Sequence, residues 1–126
     1  MELIVFPLGP DLFGLPIEHV SAVLPPSAIR PVPLAPTHIR GITAHEGDVL
    51  TVVDAGLVLR RVAASAGPSS RMLLLNGTAW LVDGEPEAVT CESSGTRIVG
   101  SEFLAGVVQT VIGQVALIDC AALARV

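Results

Sequence analysis

The chain has 126 residues, 51% of them hydrophobic but only 3% aromatic, and it carries a formal net charge of −5 without a single lysine. This length predicts one domain over residues 1–126, with a core built from Val, Leu, Ile and Ala as in β-sandwiches and barrels. The acidic balance disfavours nucleic-acid binding, and no apolar run approaches the ~20 residues that insert across a membrane. Because Met1-Glu2 leads straight into an apolar strand rather than a signal peptide, we expect a cytoplasmic protein.

The first residues predict a hairpin followed by one helical turn. Residues 3–8 form an apolar run, which we place at a sheet edge because Pro7 has no backbone N–H to donate to a neighbouring strand. After a turn at 9–11, residues 12–15 should pair back with this strand. Residues 16–20 begin with a proline and favour a single helical turn.

A third strand is predicted over residues 20–24, where two consecutive prolines end it. Residues 27–36 are rich in proline and show no periodicity, which is typical of a stiff crossing segment rather than an interdomain linker. We expect the large aliphatic side chains of this segment to be buried, namely Ile29, Val32 and Leu34.

The centre of the chain predicts the hairpin around which the other elements are organised. One apolar arm consists of residue 39 and residues 41–44, and the other consists of residues 49–53. Its tip is 45–48, where Gly47 supplies the positive φ that a tight hairpin requires. The hairpin should end at Asp54, where polar and glycine residues stop the apolar run.

The second half of the chain adds short elements separated by turn residues. The clearest is a hairpin that joins 72–75 to 79–82 through Asn76-Gly77, a dipeptide typical of type I′ turns. The other predictions, in chain order, are a helical turn at 56–62, a small polar loop at 63–70, a turn at 91–96, a hairpin that joins 103–112 to 115–118 through Gly113-Gln114, and a terminal helix at 121–125. Roughly nine or ten short strands with turns every 8 to 12 residues indicate an all-β sandwich or barrel.

The central hairpin reads I-R-G-I-T-A-H-E-G-D-V-L-T-V-V-D, and this string resembles the signature of CheW-like domains, the coupling modules of bacterial chemosensory arrays. The residues that match the family frame are Gly41, Gly47 and Asp54. The tail F-L-A-G-V-V-Q-T-V-I-G-Q-V-A-L-I-D-C-A-A-L is similar to the end of family members, so the resemblance covers essentially the whole chain. It implies an all-β fold of two small intertwined five-stranded SH3-like barrels that share a core, with short helical turns and a short C-terminal helix.

The resemblance also implies a non-catalytic adaptor, which couples the cytoplasmic tip of a chemoreceptor to a CheA-like histidine kinase without a cofactor or metal. The implied receptor groove lies at strand 20–24 and the hairpin tip, and its residues are Val20, Ala22, Ala44, His45, Glu46 and Gly47. Family members commonly have a glutamate where this chain has Ala22 and an arginine where it has Glu46. A receptor-side adaptor of the same fold that lacks the kinase contact is therefore an alternative.

Three apolar runs end in an aspartate, at Asp54, Asp83 and Asp119. Small dimeric aspartic proteases carry Asp-Thr-Gly or Asp-Ser-Gly at such a place, so Asp54 makes this enzyme class a further alternative. The hydroxyl residue after Asp54 is missing, however, and an aspartate at a strand end usually bonds its own backbone and starts a turn. On that interpretation we expect Asp54→Asn to cost only about 1 kcal/mol of stability.

The remaining candidates for chemistry are the histidines and cysteines. His19, His38 and His45 have no metal-binding spacing, and the sequence contains no Gly-x-Ser-x-Gly or Gly-rich phosphate loop. Cys91 and Cys120 belong to no Cys-rich pattern, so we interpret them as buried, reduced thiols that act as small hydrophobic residues.

Overall fold

A computed structural model describes residues 1–26, 28–91 and 95–126 of the chain. In these ranges eleven strands form two sheets, accompanied by two short α-helices and one 3₁₀ turn, Ile17–His19. The strands of the first sheet are β1 (Glu2–Leu8), β2 (Asp11–Pro16), β8 (Glu87–Thr90), β9 (Thr96–Arg97), β10 (Leu104–Thr110) and β11 (Gly113–Ile118). The second sheet contains β3 (Ala22–Leu24), β4 (Ile39–His45), β5 (Asp48–Asp54), β6 (Arg71–Leu75) and β7 (Thr78–Val82). The α-helices are α1 (Ala55–Arg60) and α2 (Cys120–Leu123).

The two sheets are assembled in the same way, each from two hairpins joined by one parallel pair of strands. In the six-stranded sheet, of order β8-β1-β2-β11-β10-β9, the parallel pair is β2 and β11. In the five-stranded sheet, of order β3-β6-β7-β5-β4, it is β5 and β7. The five-stranded sheet comes entirely from the middle of the chain, whereas the six-stranded sheet is made from both ends.

One hydrophobic core joins the two sheets. It contains side chains of the first hairpin, such as Phe6 and Phe13, together with Met72, Trp80 and Leu81 of the five-stranded sheet. The two phenylalanine rings stack with their centroids 6.3 Å apart, and most of the remaining core is Val, Leu, Ile and Ala. The prediction of an all-β protein whose two small sheets share an aliphatic core is confirmed, with six strands rather than five in one of them. Among the described residues, neither helix has the length and apolar character needed to cross a bilayer.

Two hairpins follow the prediction closely because their turn residues allow one backbone geometry. Glu46 and Gly47 have φ of 50° and 83°, and Asn76 and Gly77 have φ of 49° and 76°. Two consecutive residues with positive φ make the tight turn that matches the twist of paired strands. The tip of the central hairpin is therefore only two residues long, since His45 and Asp48 already pair across it.

The placement of the first strand at a sheet edge was wrong. β1 lies between β8 and β2, but β8 pairs only with residues Glu2, Leu3, Ile4 and Val5. β8 ends before it reaches Pro7, so the lack of an N–H at Pro7 costs no hydrogen bond between β1 and β8. The third strand also begins later than predicted, at Ala22, because Val20 ends the 3₁₀ turn by donating its N–H to the Ile17 carbonyl at 3.1 Å.

The turn of the last hairpin was also predicted at the wrong residues. Val111 and Ile112 form it, and Gly113 is already the first residue of β11, with φ of 124°. The Thr110 hydroxyl fixes this turn by donating to the Gly113 carbonyl at 2.8 Å and accepting from the Ile112 N–H at 3.2 Å. A glycine thus marked the strand start rather than the turn. Strands β8 and β9 had no prediction, and the turn expected at 91–96 includes residues 92–94, which lie outside the described residues.

The crossing segment after β3 is less buried than expected. Ile29 packs against the core, but Val32 is 42% exposed and Leu34 is fully exposed. The Val32 carbonyl accepts from the Ala35 N–H at 3.3 Å, and this turn directs the residues between them away from the core. The loop at 63–70, in contrast, is anchored, because Ala64 and Ser70 are both buried.

Candidate functional site

The tip of the β4–β5 hairpin is the most exposed part of the predicted site. Ala44 pairs with Val49, and both lie on the outward face, where Val49 is 70% exposed. The Glu46 side chain is 83% exposed, and its carboxylate lies 3.8 Å from Nε2 of His45. Gly47 is exposed and has no atom within 4 Å of the position that a side chain would occupy. The tip therefore offers two exposed apolar side chains, Ala44 and Val49, and two exposed acidic ones, Glu46 and Asp48.

The strand half of the predicted site lies at the opposite edge of the same sheet. Ala22 pairs with Leu74 in the edge strand β3, and Val20, just before β3, packs partly against the core. The structure therefore does not bring Val20 and Ala22 into strand pairing with the hairpin tip.

The segment that follows β3 connects these two edges. Arg30 and Ile42 exchange two backbone hydrogen bonds of 2.8 and 2.9 Å, and the Thr43 hydroxyl donates to the Ala28 carbonyl at 3.0 Å. The chain thus runs from the strand edge to the outer edge of β4. This connection depends on Gly41, because an added Cβ there would lie 2.2 Å from the Arg30 carbonyl oxygen.

Asp54 is wholly buried and holds four parts of the fold together. Its Oδ1 accepts from the Leu57 N–H at 2.9 Å, which caps α1, and from the Ala64 N–H at 2.9 Å, which fixes the following loop. Its Oδ2 accepts from the Arg40 guanidinium at 3.3 Å, which ties β5 to β4. A carboxylate with no exposed surface and every oxygen occupied has no access to a substrate.

The other two strand-end aspartates have similar structural roles. Asp83 accepts from the backbone N–H groups of Gly9 and Ser65, which links the β1–β2 turn to the loop after α1. Asp119 caps α2 by accepting from the Ala121 and Ala122 N–H groups at 3.1 and 3.3 Å. Asp54 and Asp119 thus bond the backbone of the turn that follows them, as predicted, whereas Asp83 bonds backbone groups that are distant in the sequence. The geometry gives the aspartic protease alternative no support.

Two concave regions border α2, and sequence reasoning found neither. A cavity of about 240 Å³ lies between α2 and the five-stranded sheet, with Trp80 and Cys120 in its lining. A wider cleft of about 510 Å³ lies between α1 and α2 and is bordered by Arg61 and Arg125. These residues are far apart in the chain, so only the tertiary fold brings them together. The one local feature of the sequence that indicates a basic surface here is the arginine pair at residues 60 and 61.

The thiol of Cys120 gives a test of this region. Both cysteines are free, with Cys91 buried and Cys120 half-buried at the start of α2. Burial raises the pKa of Cys120 above its ordinary value, and the nearby carboxylates of Asp119 and Glu18 raise it further.

We therefore expect the protein to lose stability as the pH rises from about 9, since the unfolded thiol ionises before the folded one does. The loss should level off once the pH passes the folded pKa. The chain contains no lysine or tyrosine, and Cys91 is present in both the wild type and Cys120→Ala, so the difference between these two proteins isolates the Cys120 thiol. Urea titrations over this pH range would measure it, and a slope unchanged in Cys120→Ala would contradict it.

Comparisons with known proteins agree with the architecture. A family model described as the CheW-like domain matches residues 2–125. A solved structure of the scaffolding protein TtCheW from Thermoanaerobacter tengcongensis superposes with a TM-score of 0.84, at 22% sequence identity, over 94% of this chain and 88% of that one. This likeness confirms the predicted fold of two SH3-like barrels.

Two relatives match shorter stretches of the sequence. Protein FrzA of Myxococcus xanthus is 36% identical over 73 residues, which are 58% of this chain and 46% of FrzA. The chemotaxis protein CheW of Treponema pallidum (strain Nichols) is 28% identical over 53 residues, 42% of this chain and 31% of that protein. The chain thus spans less than half the length of either relative. Since the family model covers nearly the entire sequence, the chain belongs to the CheW-like domain family.

Proposed function

We propose that this protein is a non-catalytic adaptor, which couples the cytoplasmic tip of a chemoreceptor to a CheA-like histidine kinase in the cytoplasm. Membership of the CheW-like family gives the general role of a chemotaxis scaffold. The observation that supports the finer proposal is the exposed hairpin tip, where Ala44, Glu46 and Val49 have no internal packing role. An apolar side chain surrounded by polar ones is the usual composition of a protein-binding surface.

Val20 and Ala22 form the second part of the proposed receptor surface. Edge strands and grooves between sheets are common places for partner peptides to bind, because their backbone groups are not all paired. The segment with Arg30 links this edge to β4, so a partner that contacts both edges would follow a continuous surface. We propose that the receptor binds this surface and that the kinase binds this same CheW-like domain.

Titration calorimetry with a receptor tip fragment, and separately with the kinase's CheW-like domain, tests the proposal. We expect both fragments to bind. Ala44→Asp should weaken the receptor titration because it places a charge on the outward face of the tip. Ala66→Asp, which adds the same charge to an exposed residue of the loop at 63–70, should leave it unchanged. Binding of neither fragment would overturn the proposal.

The receptor-side adaptor without a kinase contact is a second candidate. It is favoured by the acidic tip, since Glu46 stands where the family resemblance leads us to expect an arginine. Binding of the receptor fragment but not of the kinase domain would select this alternative.

Charge reversal at the tip should change partner preference. We expect Glu46→Arg to weaken binding to the protein's own receptor and to strengthen binding to a receptor from an ordinary CheW system. The reason is that a receptor adapted to an arginine presents an acid, which Glu46 repels. The shift should exceed the roughly 0.5 kcal/mol of an unimportant surface substitution, and it should shrink at high salt.

The matched control for this reversal is Glu87→Arg, an exposed position in β8 of the other sheet. Titrations of both receptor fragments at two salt concentrations supply the measurement. If the Glu46 and Glu87 variants behave alike, Glu46 is only a solvated turn residue.

A further inference from the structure

The cleft between the two α-helices has an apolar floor and a basic border. Leu57 and Val58 of α1 and Phe103 just before β10 line it with half-buried side chains. Arg61 follows α1, Arg125 follows α2, and both are exposed at its border. The cleft holds about 510 Å³, enough for one or two side chains of a partner.

The two arginines have no internal task in the described part of the chain. Arg40, Arg60 and Arg71 each form an ion pair with a carboxylate, but Arg61 and Arg125 contact no carboxylate within 4.0 Å and donate no side-chain hydrogen bond there. A positive border is also unusual for this protein, whose net charge is −5. The pair is therefore available to a ligand of opposite charge.

The backbone at Arg61 is strained. It occupies the left-handed region with φ of 59° and ψ of 23°, where it ends α1 and donates its N–H to the Leu57 carbonyl at 3.2 Å. Glycine is the usual residue at such a helix end because a side chain is strained there. Leu34, Glu46 and Asn76 share this conformation, so the strain assigns no role to the guanidinium, but it makes Arg61→Gly a variant that can lose binding without losing stability.

We propose that this cleft binds an acidic peptide segment of a partner protein, in which carboxylates flank one apolar side chain. The apolar side chain lies on Leu57, Val58 and Phe103, and the carboxylates pair with Arg61 and Arg125, whose planar guanidinium groups suit carboxylates. His38 at the border provides a further polar contact. The surface is separate from the residues proposed for the receptor, so this inference goes beyond the proposed function.

A polyphosphate or nucleic-acid ligand fits the cleft less well. More than half of the residues that line the cleft are apolar, and Glu102 at the border repels additional negative charge. The acidic protein as a whole also repels a highly charged polyanion. A peptide that carries few charges next to an apolar side chain can pair with the arginines of the border and pack against the apolar floor.

Fluorescence anisotropy with the full chain and a fluorescein-labelled peptide, Gly-Glu-Leu-Glu-Gly, tests the proposal. We expect saturable binding that weakens with salt, and a loss of at least about tenfold in affinity in Arg61→Glu and in Arg125→Glu. Glu102→Gln should strengthen binding, because it removes a repelling charge. Arg97→Glu makes the same charge change at an exposed arginine of β9, outside the cleft, and should have no effect.

Arg61→Gly separates binding from folding. This variant relieves the left-handed strain, so we expect it to raise the melting temperature while it weakens peptide binding. Loss of binding in a more stable protein excludes misfolding as the cause.

Several results would overturn the proposal. One is that the peptide does not bind, or that it binds Arg61→Glu and Arg125→Glu as tightly as it binds the unchanged protein. Another is equal binding of a peptide with glycine in place of leucine, or full competition by inorganic phosphate, since either would indicate a simple anion site. Self-association that disappears in Arg61→Glu would instead make a second copy of the chain the occupant.

Discussion

Replacing Asp54 by asparagine is expected to lower the free energy of unfolding by about 2–4 kcal/mol. The asparagine amide cannot accept a hydrogen bond on the side where Asp54 accepts from both Arg40 and Ala64, and it leaves the partly buried guanidinium without its counter-charge. The estimate is several times the cost expected from the sequence, because a local turn bond is usually exposed whereas Asp54 has no exposed surface. Chemical denaturation of the two proteins measures the difference.

Asp119→Asn is the matched control, since Asp119 caps a short helix in the same manner but is exposed. We expect this change to cost about 1 kcal/mol or less. Equal losses in the two variants would show that burial and the Arg40 ion pair add nothing to the cap.

Gly41→Ala should destabilise the protein by about 3–5 kcal/mol, the sum of backbone strain and overpacking. The φ of Gly41 is 145°, a conformation that residues with side chains rarely adopt. A Cβ would also lie 2.2 Å from the Arg30 carbonyl oxygen, so the Arg30–Ile42 pairing has to open. Thermal unfolding should show the loss directly. The proposed receptor binding should weaken as well, because the segment that joins β3 to β4 moves.

Substitutions at two other glycines separate the cost of backbone strain from the cost of the steric clash. Gly47→Ala introduces strain without a clash, since φ is 83° and the surrounding space is open, and should cost about 1 kcal/mol. Gly67→Ala introduces neither and should be neutral or slightly stabilising. If Gly41→Ala loses no more stability than Gly47→Ala, the crossing segment does not approach Gly41 as closely as described.

The turn at Gly47 and the capping role of Asp54 could be predicted from the sequence because each has a local physical reason. Gly47 satisfies a local backbone requirement, and an aspartate at the end of an apolar strand is a well-known cap or turn former. The hairpin through Asn76-Gly77 is equally local. Pattern reasoning succeeds for such elements because the signal lies within a few residues of its effect.

Features that depend on distant contacts could not be predicted in this way. Nothing near Asp54 in the sequence indicates that Ala64 and Arg40 will enclose it, and nothing near Arg61 indicates that Arg125 will face the same cleft. Val111 and Ile112 form a turn although both are β-branched, because the Thr110 hydroxyl supplies the hydrogen bonds. In each case tertiary or side-chain contacts override the local preference.

The division of the chain between the sheets sets an order for its synthesis on the ribosome. All five strands from β3 to β7 are translated before β10 and β11, so every strand of the five-stranded sheet exists while the six-stranded sheet still lacks its last hairpin. Until β11 arrives, β2 has an open edge, and an open strand edge is a template for pairing with another nascent chain. Nascent chains in which β11 is not yet available should therefore aggregate more readily than chains in which β11 has paired with β2.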